Sequence, residues 1–183
     1  MIEIQTTSIE NINKTTIINI NYPYISDREN LFKEINKTIY EDIMIFKEVV
    51  TEEIKNSSYH KNSLSYINTE YEITKSTDKL LSLYIEFSQL IGLCNINYIN
   101  TYNYDLNLKR EITIDDIFIN KIKISSKLLD KDNIKFYIED DGVVLCFSSY
   151  ELEPNIEGIS TIKIYFDEYV PYLSEYTLES LYK

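Results

Sequence analysis

His60 is the only histidine of the 183-residue chain, and Cys94 and Cys146 are its only cysteines. A Ser-His-Asp or Cys-His arrangement cannot be assembled without His60, which lies in the polar stretch "NSSYHKNS", where a histidine is more often solvated than catalytic. One histidine and two scattered cysteines do not make a tetrahedral zinc site, so no metal centre is expected. The cysteines lack CxxC spacing and sit in apolar or strand-like contexts, which reads as two buried free thiols rather than an indicated disulfide. Carboxylates remain. Asp115 with Asp116, and Glu139 with Asp140 and Asp141, have the chemistry to hold a hard cation or to form an acid/base pair. Both clusters fall on turn signals, where Asp bonds its own backbone, and neither has calcium-loop spacing. Three glycines leave no phosphate-cradling loop, and no cofactor is expected. The absence of a catalytic constellation makes a non-enzyme the expectation.

The net charge of -12 repels phosphate backbones and anionic membrane surfaces, so nucleic acid is not an expected partner. The same charge speeds encounter with a basic partner. No run of residues approaches the length of a membrane span, so no membrane insertion by this chain is expected, and the opening residues lack the basic and apolar regions of a signal peptide. Ile and Tyr are frequent and Ala is absent, a bias toward pleated, half-buried surfaces.

Elements must position these groups. Two short strands, about 2–9 and 15–22, are joined by "NINK". "SDRE" matches a capping box, Ser26 to Glu29, and predicts a helix from there to about Lys55, with Leu31, Phe32, Ile35, Ile39, Ile43, Phe46, Val50 and Ile54 as its apolar stripe. Beyond Leu64 the period is two, giving strands around Tyr71, around Leu81–Phe87 and around Tyr98–Leu106. A short strand enters a turn at Asp115, and 122–130 reads as helical. In "KFYIEDDGVVLCF", Asp141-Gly142 is a type I′ signature that sets Phe136 opposite Phe147 and Ile138 opposite Leu145. A last strand carries Ile162, Ile164 and Phe166, and a short helix follows. This order implies α+β: an antiparallel sheet packed against one long N-terminal amphipathic helix, with a short C-terminal helix. Residues 1–183 read as one compact domain, its parts about 1–92 and about 93–183 packed together.

Four segments carry a resemblance: "INYPYISDRENLFKEINKTI", "YEITKSTDKLLSLYIEFSQLIG", "YNYDLNLKREITIDDIF" and "FYIEDDGVVLCFSSYELEPNIEGISTIKI". Together they resemble the paired domains of unknown function in the extracytoplasmic part of RsiV-type, lysozyme-sensing anti-sigma factors and beside the catalytic domain of PdaC-type peptidoglycan deacetylases. The landmark is an aromatic, two residues, Tyr-Glu, two residues, Pro, three residues, Gly, matched by Phe147, Tyr150, Glu151, Pro154 and Gly158. Two positions depart from the family pattern: Gly92-Leu93-Cys94-Asn95 stands where a Gly-Ala-His segment is common, and Asn155 where Tyr is common.

The resemblance implies a non-enzymatic recognition or sensing domain at the cell envelope. Its ligand would be a protein, with basic lysozyme as one candidate, or a peptidoglycan-related polymer. The expected ligand surface is Tyr150, Glu151, Glu153, Asn155 and Glu157, with Pro154 and Gly158 shaping the backbone. Two alternatives stay open: an accessory domain of a wall hydrolase or deacetylase, and a cytoplasmic relative of the same fold with another partner.

Overall fold

The computed structural model describes residues 2–26, 32–57, 63–119 and 134–182. His60, Glu29 of the expected capping box, Leu31 of the expected stripe and the helix expected at 122–130 lie outside them. The chain is mostly β, with strands β1 (Glu3–Ile12), β2 (Thr16–Ser26), β3 (Ser65–Ser76), β4 (Leu80–Ile91), β5 (Cys94–Asp105), β6 (Arg110–Glu111), β7 (Lys135–Ile138), β8 (Gly142–Phe147) and β9 (Ser160–Tyr165). Its helices are α1 (Lys33–Asn56), α2 (Ile114–Ile117), α3 (Phe166–Tyr169) and α4 (Glu175–Ser180).

This overturns the α+β reading. Among the described residues there are two sheets instead of one: six strands in the order β1-β2-β3-β4-β5-β6, and three in the order β7-β8-β9. The sheet begins at the N-terminus, and the long helix follows two strands instead of preceding the sheet. Nor is the larger sheet wholly antiparallel, because β2 and β3 run parallel, from Thr16 opposite Ser65 to Ile20 opposite Thr69. The physical reason is the helix itself: a parallel pair needs a long crossover, and α1 supplies it.

Contacts divide the chain into two compact units, each assembled from three separate stretches. The first comprises Met1–Glu72, Ile85–Ile99 and Ser148–Ile159. In it the expected stripe holds from Ile35 onward, since Ile35, Ile39, Ile43, Phe46, Val50 and Ile54 are the buried residues of α1, while Phe32 is its N-cap position. They join Ile20, Ile25, Ile67, Ile85 and Ile99 in the core. Phe46 meets Phe87 edge-on at 5.1 Å, and Phe87 stacks on Tyr98 at 4.6 Å. The Asn36 side chain closes a ring with Ile25, accepting from its N–H at 2.9 Å and donating to its carbonyl at 2.6 Å. That ring fastens the first turn of α1 to the end of β2. Ser26 is therefore a strand residue paired with Glu3, not a cap, and the N-cap position of α1 is Phe32. One side chain also extends the parallel ladder: Thr69 accepts from the Asn21 N–H at 2.9 Å and donates to its carbonyl at 2.7 Å.

The second unit comprises Ile73–Tyr84, Asn100–Phe147 and Ser160–Lys183. Its centre is a buried polar knot. The Ser82 hydroxyl donates to Asn103 Oδ1 at 2.7 Å and accepts from the Ile138 N–H at 2.8 Å, while Asn103 Nδ2 donates to the Phe136 carbonyl at 2.6 Å. With both side chains buried, these bonds tie β7 to β4 and β5, since an unmet polar group there would cost about 1–3 kcal/mol.

The β7–β8 hairpin forms with a register two residues from the expected one: Phe136 faces Leu145 and Ile138 faces Val143. A shift of two keeps the same faces inward, so Phe136, Ile138, Leu145 and Phe147 remain buried. The turn residues are Asp140 and Asp141, closed by the Glu139 N–H on the Gly142 carbonyl at 2.9 Å, and Gly142 belongs to β8 opposite Tyr165. A Cβ there would overlap the Ile164 carbonyl oxygen, so this glycine serves close strand approach instead of positive φ.

Candidate functional site

The residues expected to bind a ligand lie on the turn-rich stretch Ser148–Ile159 of the first unit. Two serines pin it to β5. The Ser149 hydroxyl accepts from the N–H groups of Asn97 and Gly158, both at 3.0 Å, while the Ser149 N–H donates to the Asn97 carbonyl at 2.8 Å. The Glu151 carboxylate turns back to accept from the Ser148 N–H at 2.9 Å, which braces the turn. Glu153 to Ile156 form a β-turn closed by a 3.2 Å bond, with Pro154 at its second position and Asn155 at its third. Gly158 has φ of 84°, the freedom the sequence reading assigned to it.

Tyr150 also adopts positive φ, 64°, which nothing in the sequence announces. An aromatic residue in that region costs about 1–2 kcal/mol, offset here by its N–H donating to the Ile156 carbonyl at 2.9 Å. Tyr150 is 43% exposed, and Glu157 lies close enough to its hydroxyl to act on it. Desolvation first, then the charges of Glu157 and the Cys94 thiol, raise the Tyr150 phenol above its ordinary range. The structure thus brings Tyr150, Glu157 and Cys94 together, with Glu153, Pro154 and Asn155 exposed on the neighbouring turn. Cys94 is free and exposed, which corrects its expected burial, whereas Cys146 is free and buried. The exposure follows from the two-residue Gly92-Leu93 turn just before it, where Gly92 has φ of 64° and Leu93 is 93% exposed.

Four carboxylates of the second unit's clusters, Asp116, Glu139, Asp140 and Asp141, have partners of their own. Asp116 completes a capping box on α2, accepting from the Thr113 N–H at 2.8 Å and its hydroxyl at 2.9 Å. It also takes both arms of the Arg110 guanidinium at 2.7 and 2.9 Å. The Arg110 bonds outweigh desolvation and hold the Asp116 carboxyl at about 2, well below its ordinary 3.8. Glu139 and Asp141 both contact Lys163, at 2.6 and 2.7 Å, and Lys75 approaches Asp140 at 3.4 Å. Among the described residues, no group of three or more His, Cys, Asp or Glu could hold a metal ion.

Sequence reasoning missed a cleft of about 450 Å³ in the first unit, between the end of β2 and the first two turns of α1. Tyr22, Tyr24, Phe32 and Tyr40 are among its lining residues, with Lys33, Asn36 and Lys37. Alternating Tyr22 and Tyr24 before two lysines four residues apart was the available signal, although no motif joins them.

These features define the class: a β-rich, two-sheet domain with a helical crossover and a braced acidic turn. The comparisons narrow it. The family model described as Deacetylase PdaC matches residues 9–93, somewhat under half of the chain. A solved member of the DUF3298 family from Bacteroides fragilis is similar with a TM-score of 0.64 and 17% identity, over 98% of this chain and 96% of that one. A DUF3298 family protein from Pseudomonas aeruginosa gives a TM-score of 0.60 at 10% identity, over 96% of each chain. At these identities the two structures show a shared fold. No curated protein matches the chain. The chain resembles a PdaC/DUF3298-type domain, as the four sequence segments indicated.

Proposed function

We propose that this chain is a non-enzymatic recognition module of the cell envelope, engaging a basic protein or wall polymer through Tyr150, Glu153, Asn155 and Glu157. The observation that carries this reading is the stretch itself: exposed acidic and aromatic groups on a backbone held by the serine and glutamate braces. Pre-ordered groups lose less freedom on binding, so more of the contact energy appears as affinity. A chain charge of -12 steers a cationic partner to such a surface. A non-catalytic role agrees with carboxylates that serve backbone or cation partners, as Glu151, Asp116, Glu139 and Asp141 do.

The resemblance to lysozyme-sensing ectodomains makes lysozyme the first ligand to test. Calorimetric titration should give heat at low salt that falls steeply at high salt, since exposed charges are screened within about 10 Å at 0.1 M. No heat at either salt removes lysozyme as the ligand. The family model's name favours a second reading, an accessory domain of a wall deacetylase. Co-sedimentation with purified peptidoglycan, without any response to lysozyme, would select it.

A further inference from the structure

β1 is the outer strand of the six-stranded sheet, with β2 its one neighbour among the described residues. The bonds of β2 define its open side. The Asn21 N–H, opposite Ser8, goes to Thr69 at 2.9 Å, and the Ile25 N–H, opposite Ile4, goes to Asn36 at 2.9 Å. Pro23, opposite Thr6, has no N–H to give. These are therefore pairs that exchange no backbone bond between β1 and β2. Alternation along an antiparallel ladder then turns the N–H and C=O groups of Ile4, Thr6, Ser8, Glu10 and Ile12 to the open edge.

The chain guards its other edges. β6 has only two residues. On β7, Phe136 and Ile138 give their N–H groups to the Thr101 and Ser82 side chains, and the Phe136 carbonyl accepts from Asn103. β9 carries Lys163, which contacts Glu139 and Asp141. Shortness, lysine, proline, bulges and covering groups are the devices that keep an edge from pairing with another chain. β1 has ten residues where about 5–6 is common, no proline, lysine or arginine, and ten consecutive partners on β2 without a bulge.

We propose that β1 pairs antiparallel with β1 of a second copy about a two-fold axis at Ser8, joining the two larger sheets into one. Bonds across this joint link the outward residues, all of even number, so odd-numbered Glu3 never stands opposite even-numbered Glu10. With Ser8 on the axis, Ile4 meets Ile12 of the second copy and Thr6 meets Glu10, while Gln5 meets Asn11 and Thr7 meets Ile9. No like charges oppose each other, and Ile12, 76% exposed in the single chain, gains an isoleucine directly across the joint. The contact is self-complementary, as a two-fold interface must be. It shares no residue with Ser148–Ile159, so it stands or falls apart from the lysozyme reading.

Sedimentation velocity of the full chain over a wide range of concentration tests it. A monomer–dimer equilibrium is expected, and salt should strengthen the dimer, because two copies of charge -12 repel each other until screened. That response is opposite to the one expected for lysozyme binding. S8K sets two lysines face to face on the axis and should weaken dimerisation about tenfold or more, although it makes the chain less acidic. Circular dichroism of S8K should match the native chain, since Ser8 is exposed. In a C94S background, S8C should give a disulfide-linked dimer on mild oxidation, because residues opposite each other in a hydrogen-bonded pair have Cα atoms about 5.5 Å apart, within disulfide reach. E3C in the same background stands far from its own counterpart and should not. A monomer at every concentration up to about 1 mM, a dimer indifferent to S8K, or cross-linking at E3C equal to that at S8C would overturn the proposal.

Discussion

Two acidic turns of this chain have similar composition and opposite fates. At Glu139–Asp141 the carboxylates are drawn in by Lys163 and Lys75, and the turn is a fastened corner of a hairpin. At Ser148–Ile159 the fastening is done by serine hydroxyls and Glu151, and among the described residues neither Glu153 nor Glu157 forms an ion pair with a lysine or arginine. Acid-rich composition therefore does not decide whether a turn offers charge to a partner. What decides it is whether neighbouring strands bring cations to it.

The glycines give the largest expected effects. G142A should lower unfolding free energy by about 3 kcal/mol in denaturant titration, because a Cβ against the Ile164 carbonyl forces β8 and β9 apart. G158A has open space and only its φ of 84° to oppose it, so a loss of about 1 kcal/mol is expected. Equal losses would break the distinction between a turn held by strand contact and one held by backbone freedom.

The pH response of the Arg110–Asp116 pair comes next. Asp116 titrates at about 2 when folded against an ordinary 3.8, so its contribution is present above pH 3.8 and is lost as pH falls toward 2. Replacement by asparagine should cost about 1–2 kcal/mol at pH 7, after allowance for the half-exposed arginine, and the difference from the native chain should shrink steadily below pH 4. A difference that does not change with pH would mean that packing, not charge, is what Asp116 supplies.

Smallest in stability is E153Q/E157Q, expected within about 0.5 kcal/mol of the native chain in thermal unfolding. Should lysozyme bind, the same pair ought to slow association while barely changing its dissociation, the signature of steering. An unfolding shift above 1 kcal/mol would make these glutamates structural.

The sequence was most legible where the deciding forces are local. The α1 stripe was readable because a 3.6-residue period needs no knowledge of partners, and its six buried residues are those expected. Gly158 was readable as a residue that frees the backbone. Reading failed where a distant strand casts the deciding vote. Asp141-Gly142 carries a hairpin signature, but β9 requires the glycine inside the ladder, which moves the turn to Asp140 and Asp141. The Ser26 capping signal lost to β2, which continues through that residue beside Glu3. The parallel β2–β3 pair joins residues about fifty positions apart, beyond any local pattern. Tyr150 as the candidate site's strained residue was hidden for a different reason: its φ goes with a bond to the Ile156 carbonyl within the same turn, not with its own residue type.

Because β3, β4 and β5 each pass from one unit into the other, synthesis and assembly run on different schedules. The first unit opens with Met1 and cannot close until Ser148–Ile159 has left the ribosome, by which point most of the second has been made. Such interleaving puts the entropy of long loop closure ahead of its reward, and topologies of this kind fold slowly. Neither unit can be freed by one cut, so a truncated gene would yield not a smaller working module but two unfinished ones.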